Sequence, residues 1–299
     1  MNLSRSSLLC AALLVAVTAC GDDTNDASTT ATPTTVAATA AAPDTTTPAT
    51  TGLDTTVPDT VEHGGERTQY PLTIDNCGRQ VTFEKAPERV VILNGTSVAE
   101  VESFIALGIE DRILANSQMY GVSDVDGMLE QIMAIPNGGM TLNENYEVPR
   151  EQVLALQPDL VVSTWSGGFS SEMGLATRDE LAEAGINSYV TPVNCAFGVT
   201  DPRPEDVAKN ENQTYEASFE LLEELGLIFD VQHEAGHVIE HAREAIAAIQ
   251  PPASGGDVHV LLAYPGMSMM DQTGVPGVFA GPFTDSIIEA AGGVNAFPD

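Results

Sequence analysis

"REQVLALQPDLVVSTW", residues Arg150 to Trp165, reads as two elements separated by a stop. A helix runs from Arg150 to Leu156, and a buried strand runs from Leu160 to Thr164. A short unbroken apolar run between turn signals is what a strand covered on both faces requires. The following stretch, "TRDELAEAGINSYVTPV", repeats the unit with a helix ending near Gly185 and a strand through Val190. Upstream, "RVVILN" (Arg89–Asn94) is another short buried strand, "TSVAEVESFIALG" a helix closed by Gly108, and "RILAN" (Arg112–Asn116) a further strand. In front of them "YPLTIDNCGRQVTF" (Tyr70–Phe83) alternates around an Asn-Cys-Gly turn and reads as a β-hairpin. Strands alternating with helices make a parallel α/β sheet, whose ligands sit beyond the carboxyl ends of the strands.

Beyond this unit, residues 213–250 are almost entirely helical in pattern, and Pro251 and Pro252 stop them. A strand, "VHVLLAY" (Val258–Tyr264), and a helix, "FTDSIIEAAGG", then repeat the architecture of the first strand and helix. The expected layout is therefore two α/β lobes. An N-terminal lobe covers 67–210, a helical connector covers 211–250, and a second lobe covers 251–299. The second lobe stops at "VNAFPD", and by analogy with the first it is incomplete. The expectation is a fragment or truncated product; completion by something else is the alternative.

The N-terminal 66 residues belong to neither lobe. "MNLSRSSLLCAALLVAVTAC" (1–20) has one positive charge, Arg5, and an apolar run from Leu8 to Val17 that is too short for a settled membrane span. It reads as a secretory signal. Its end, "VTAC", resembles the lipobox of bacterial lipoproteins, a family in which the cysteine, here Cys20, is diacylated and becomes the mature N-terminus. Residues 21–66 are Thr, Ala, Pro and Asp without apolar periodicity, a disordered tether of roughly 35–40 Å end to end.

The net charge of −32, with 11 Lys and Arg in the whole chain, argues against nucleic acid and against an anionic membrane surface. With Cys10 in the signal and Cys20 lipidated, Cys77 and Cys195 remain as one pair in an oxidising compartment. A disulfide is the default, and two buried free thiols are the alternative.

"HEAGHVIEH" (His233–His241) contains H-E-x-x-H, the motif of zinc metalloprotease helices. At about 100° per residue, Ala235, Val238, Ile239, Ala242, Ala245, Ile246 and Ile249 gather on one face. His233, His237 and His241 fall on the opposite side with Glu240 and Glu244. A protease needs its histidines in a cleft, a third ligand supplied by the fold and a glutamate facing metal-bound water. Nothing in the sequence supplies these, although His233 and His237 could take up zinc adventitiously. The competing reading is a membrane-tethered zinc protease using His233, Glu234 and His237.

"TIDNCGRQVTFEKAPERVVILN", "REQVLALQPDLVV", "TRDELAEAGINSYV", "LGLIFDV" and "IIEAAGGVNAFPD" together resemble the substrate-binding proteins of bacterial ABC importers for ferric siderophores. Cobalamin and haem receptors belong to the same superfamily. The resemblance runs collinearly from Leu72 to the C-terminus. It implies a non-enzymatic receptor without a cofactor, built of two α/β lobes on a rigid connector, with the ligand between them. It also implies docking to the permease subunits through an exposed glutamate, here Glu151, whose second-lobe counterpart would lie beyond Asp299.

A strand-end cleft then has as candidates Asn94, Gly95 and Thr96; Ser117, Gln118 and Tyr120; Thr164, Trp165 and Thr191; and, from the second lobe, Tyr264, Pro265 and Met267. Trp165, the single tryptophan, is either a core residue or a cleft residue exposed by the glycines after it. Arg178, Arg203 and Lys209 are the nearest cations by order, with Arg178 expected on a helix surface, so the expected chelate is neutral or weakly charged. Direct metal capture needs histidines at cleft loops, and His63, His233, His237, His241 and His259 supply none. No metal site is expected.

Overall fold

The computed structural model describes residues 67–95, 97–118, 123, 125–250, 258–264 and 277–297. The signal and tether segments with Cys20, and the candidates Thr96, Tyr120, Pro265 and Met267, lie outside the described residues. No helix among the described residues is long and apolar enough to cross a membrane.

Leu72–Asn76 (β1) and Arg79–Phe83 (β2) form the expected hairpin, with Asn76 opposite Arg79. Both turn residues take positive φ, Cys77 at 58° and Gly78 at 77°, the geometry that fits a two-residue turn to the strand twist. Val90–Ile92 (β3), Ile113–Asn116 (β4), Leu160–Ser163 (β5) and Asn187–Val190 (β6) form a parallel sheet in the order β4-β3-β5-β6.

Their side chains alternate between two cores, as a sheet buried on both faces requires. Val90, Ile92, Leu160 and Val162 enter one core with Val101 and Phe104 of α1 (Ala99–Ala106) and with Leu225 and Ile228 of α6 (Glu216–Phe229). Val91, Leu93 and Val161 enter the other with Val153 of α3 (Arg150–Leu156) and Leu181 of α4 (Arg178–Glu183). The two remaining helices of this region, α2 (Met128–Ala134) and α5 (Pro204–Glu211), are short, with Ile132 of α2 and Asp206 of α5 as their buried residues.

Two local devices fix a strand entrance and a helix start. After α3, Gln157 takes a left-handed conformation, and Asp159 accepts the backbone N–H groups of Glu88 and Arg89 at 2.8 and 2.9 Å. This locks β5 to the start of β3. Thr177 and Glu180 form a capping box at the start of α4.

The Cys77–Cys195 disulfide forms across 118 positions of sequence, joining the hairpin tip to the loop after β6. Arg178 is not on a helix surface as the sequence suggested. It is half-buried, donating to Asn76 O and Oδ1 and to Ser188 O and Oγ at 2.8–3.0 Å. Desolvation, with the charge of Arg79 nearby, pulls its pKa down to about 10, so it remains a cation at neutral pH.

The helical region divides at Asp230, which has positive φ, into α6 and α7 (Gln232–Ala247). Ala235 and Ile239 of α7 are buried, and Val238, Ala242 and Ile246 pack partly against the core. Ala245 and Ile249, expected on that face, are exposed, because the last turn runs past the edge of the core.

The strand expected over Val258–Tyr264 is two short ones. Val258–Val260 (β7) pairs in parallel with Gly293–Asn295 (β10), and Ala263–Tyr264 (β8) pairs antiparallel with Gly277–Val278 (β9). Between them Leu261 and Leu262 are exposed while the chain changes partners. Pro282–Ala290 (α8) lies between β9 and β10.

Candidate functional site

The exits of the four parallel strands meet over a buried carboxylate. Glu100, in the first turn of α1, is 1% exposed. Its Oε2 accepts from Gln118 Nε2 at 2.6 Å and Thr164 Oγ1 at 2.8 Å, and its Oε1 from Thr191 Oγ1 at 2.6 Å. These donors follow β4, β5 and β6 respectively. Gln118 completes the lattice by accepting the backbone N–H of Val101 at 3.1 Å. That bond caps α1 from outside, since Val98 at the N-cap offers no side-chain acceptor.

Gly95, at the β3 exit, lies directly over this network. A Cβ placed on it would stand 2.2 Å from Thr164 Oγ1. Gln118 and Thr191, both read from sequence as ligand contacts, therefore spend their side chains on Glu100 and form the floor of the cleft.

Above the floor the surface is aromatic and apolar. Trp165 is half-buried after β5, and its ring lies 5.1 Å from that of Phe197, which is 53% exposed. The indole is closely seated: a Cβ on Gly198, whose φ is +76°, would lie 2.4 Å from it. Ser166 Oγ donates to Cys195 O at 2.8 Å, so the disulfide holds the loop that presents both rings.

Beside Gln118 a pocket of about 590 Å³ opens between the start of α1 and α2. Its walls are Val98, Leu129, Ile132, Met133 and Ile135, with Asn116 and Asn137 as polar groups. Met133 is 71% exposed. This size and lining fit a small-molecule site. A depression of about 660 Å³ along α6 and α7 is lined by helix surface alone, and Arg243 there is bound to Glu216.

Asn94, the remaining candidate at the β3 exit, donates its Nδ2 to Tyr146 O at 2.6 Å. It thereby ties the cleft to a turn in which Asn143 Oδ1 accepts the N–H groups of Asn145 and Glu147. The next carboxylate, Glu147, is 6% exposed, and its Oε2 has no hydrogen-bond partner. Burial pushes its pKa up to about 7. Tyr264 is described by its backbone, which pairs with Gly277. Glu151 stands in the first turn of α3 with 73% of its side chain exposed, beside Arg150 at 3.3 Å.

Residues 90–299 match the family described as periplasmic binding protein. The chain belongs to that family. Among solved structures, the periplasmic binding protein is similar to an ABC-type Fe3+-hydroxamate transport system protein from Saccharomonospora viridis, at 25% identity and a TM-score of 0.52. That match covers 76% of this chain and 70% of the other. A periplasmic binding protein from Veillonella parvula (17% identity, TM-score 0.55, 76% and 67% covered) shares the fold. So does the siderophore-binding protein BauB (15%, 0.50, 76% and 68%), a structure containing acinetobactin and ferric iron. Comparison with curated proteins finds no match.

The periplasmic binding protein family binds solutes and does not catalyse. His233 and His237 are exposed with rings 4.6 Å apart, and no cluster of three or more metal-ligating side chains occurs among the described residues.

Two predictions follow from the buried carboxylates. Glu100→Ala leaves an amide and two hydroxyls without their acceptor, so urea unfolding is predicted to show a loss of about 3 kcal/mol or more. Glu147 ionises less readily folded than unfolded, so its stabilising neutral form is complete below its ordinary value of 4.5 and is lost as pH rises through about 7. Glu147→Gln removes that loss, and its gain in melting temperature is predicted to be larger at pH 8 than at pH 5.

Proposed function

We propose that this periplasmic binding protein captures a ferric siderophore and delivers it to an ABC importer. The observation that carries the reading is the strand-end cleft. An aromatic surface of Trp165 and Phe197 and an apolar pocket of about 590 Å³ share a rigid floor. Such a surface suits a bulky chelate whose metal is already wrapped by organic ligands. The 25% identity to the Fe3+-hydroxamate transport protein favours a hydroxamate chelate.

In this reading 67–210 form the ligand-binding N-terminal lobe, 211–250 the connector and 251–299 part of the opposing lobe, which brings Tyr264 and Met267 to the ligand with Thr96 and Tyr120. Glu151, exposed on α3, docks to a permease subunit. Cys20 carries the lipid that holds the protein outside the cytoplasm at the membrane, with 21–66 as its tether. The mechanism is binding and hand-over, with no bond made or broken in the ligand.

The test is a titration of Trp165 fluorescence, corrected for ligand absorbance, with ferric siderophores, their iron-free forms, cobalamin and haem. The predicted result is saturable quenching by a ferric class, weaker by at least about tenfold for the iron-free form and unchanged by Glu234→Gln. Quenching by cobalamin or haem alone would move the ligand to those classes. A flat response in folded protein to every ligand would contradict the receptor reading.

A further inference from the structure

The pocket between the start of α1 and α2 is apolar from base to rim. At its base, Val98 and Ile132 are each 5% exposed and belong to the core that α1 and α6 share with the sheet. At its rim, Leu129 and Met133 of α2 are 43% and 71% exposed, so the pocket opens to solvent. The described residues that line it include no charged side chain and no aromatic ring.

Its few polar groups are turned to the protein itself. Asn116 Oδ1 accepts the N–H of Gln118 at 3.0 Å, and its Nδ2 donates to Gln118 O at 3.3 Å. Asn137 Oδ1 accepts the N–H of Gly139 at 3.0 Å, and its Nδ2 donates to Met140 O at 3.4 Å. The Gln118 side chain is occupied by Glu100, Thr164 and the N–H of Val101. Pro136 O accepts the N–H of Asn116 at 2.9 Å. A polar group entering this pocket would give up its water for walls whose polar groups are engaged elsewhere. An aliphatic chain gives up only apolar hydration, which favours its burial.

The pocket also adjoins the strand-end cleft. Asn116 is the last residue of β4, and Gln118 belongs both to the pocket wall and to the floor beneath Gly95. Trp165 follows β5, and a single strand, β3, separates β5 from β4. At about 4.8 Å per strand, the two exits are about 10 Å apart. A group extending from a chelate on Trp165 and Phe197 has only that gap to cross along the strand ends.

From these observations we infer that the pocket binds an aliphatic tail carried by the ligand, so that the protein prefers ferric chelates bearing a long acyl chain. The inference rests on the chelate-receptor reading and narrows its substrate to amphiphilic chelates. Burying several methylene groups in such a site raises affinity by about tenfold or more.

The experiment uses the whole protein and two probes with the same iron shell: a linear ferric tris-hydroxamate whose terminal amine is acetylated, and the same chelate carrying a decanoyl group. Both are kept below the concentration at which the tailed probe aggregates. Trp165 quenching gives the two affinities for the wild type and for the rim variants Leu129→Asp and Met133→Asp, whose folding is checked by thermal melting. The expected result is at least about tenfold tighter binding of the decanoyl probe by the wild type, falling to about threefold or less in either variant. Equal wild-type affinities would overturn the inference and leave the receptor reading standing, and this comparison needs no variant to fold. A preference that survives unchanged in both folded variants would overturn the assignment of the tail to this pocket. Binding of neither probe, with saturable quenching by haem or cobalamin, would overturn the chelate reading on which the inference rests.

Discussion

Glu100 is the constraint on which the cleft depends. A carboxylate with 1% exposure is tolerated only when its oxygens are occupied, and here three donors from three separate strand exits occupy them. The first turn of α1 contributes its own partial positive charge at that position. One side chain thus fixes the relative positions of the loops after β4, β5 and β6, and Gly95 brings the loop after β3 within touching distance of the same network. Those four exits are where a parallel sheet offers its ligand surface. The cleft's rigidity is therefore built from below, by a polar lattice the ligand need not touch.

A second constraint acts from the side. The disulfide ties the hairpin tip to the loop after β6, two residues before Phe197. Ser166 bonds to the backbone of Cys195, so the loop bearing Trp165 is held to the same anchor. Arg178 closes the remaining gap between hairpin, α4 and β6 with four hydrogen bonds. This explains why the sequence's best-placed cation is unavailable to a ligand: its donors are spent on the scaffold.

The α/β framework was legible because burial on both faces leaves a plain mark. Val90 to Ile92 and Leu160 to Val162 are continuous apolar runs, and their neighbours carry helical periodicity. The paired cysteines were legible by counting alone. The site was legible only as a set of strand ends. Gln118 and Thr191 stood at the strand ends, but the direction of their side chains depends on Glu100, which the helix pattern does not single out. A signal was present: Glu100 precedes Phe104 by four residues and adjoins Val101, which puts it on the helix face that enters the core. Phe197, Met133 and Glu147 sit in loops or on a short helix, where no periodicity distinguishes a buried residue from a solvated one. The H-E-x-x-H motif errs in the opposite way. Its spacing is a property of any helix, whereas a metal centre also needs ligands from elsewhere in the fold, and α7 turns its histidines outward.

The most direct test of the account is to locate the bound metal. Nuclear magnetic resonance spectra of the isotope-labelled protein with a ferric chelate, compared with the same chelate carrying diamagnetic gallium, report which amides lie near the iron. The account predicts iron-specific broadening of Asn94, Gly95, the Trp165 indole, Phe197 and Gly198, with the signals of α6 and α7 left sharp. Broadening centred on His233 to His241, with the strand-end loops unaffected, would contradict it.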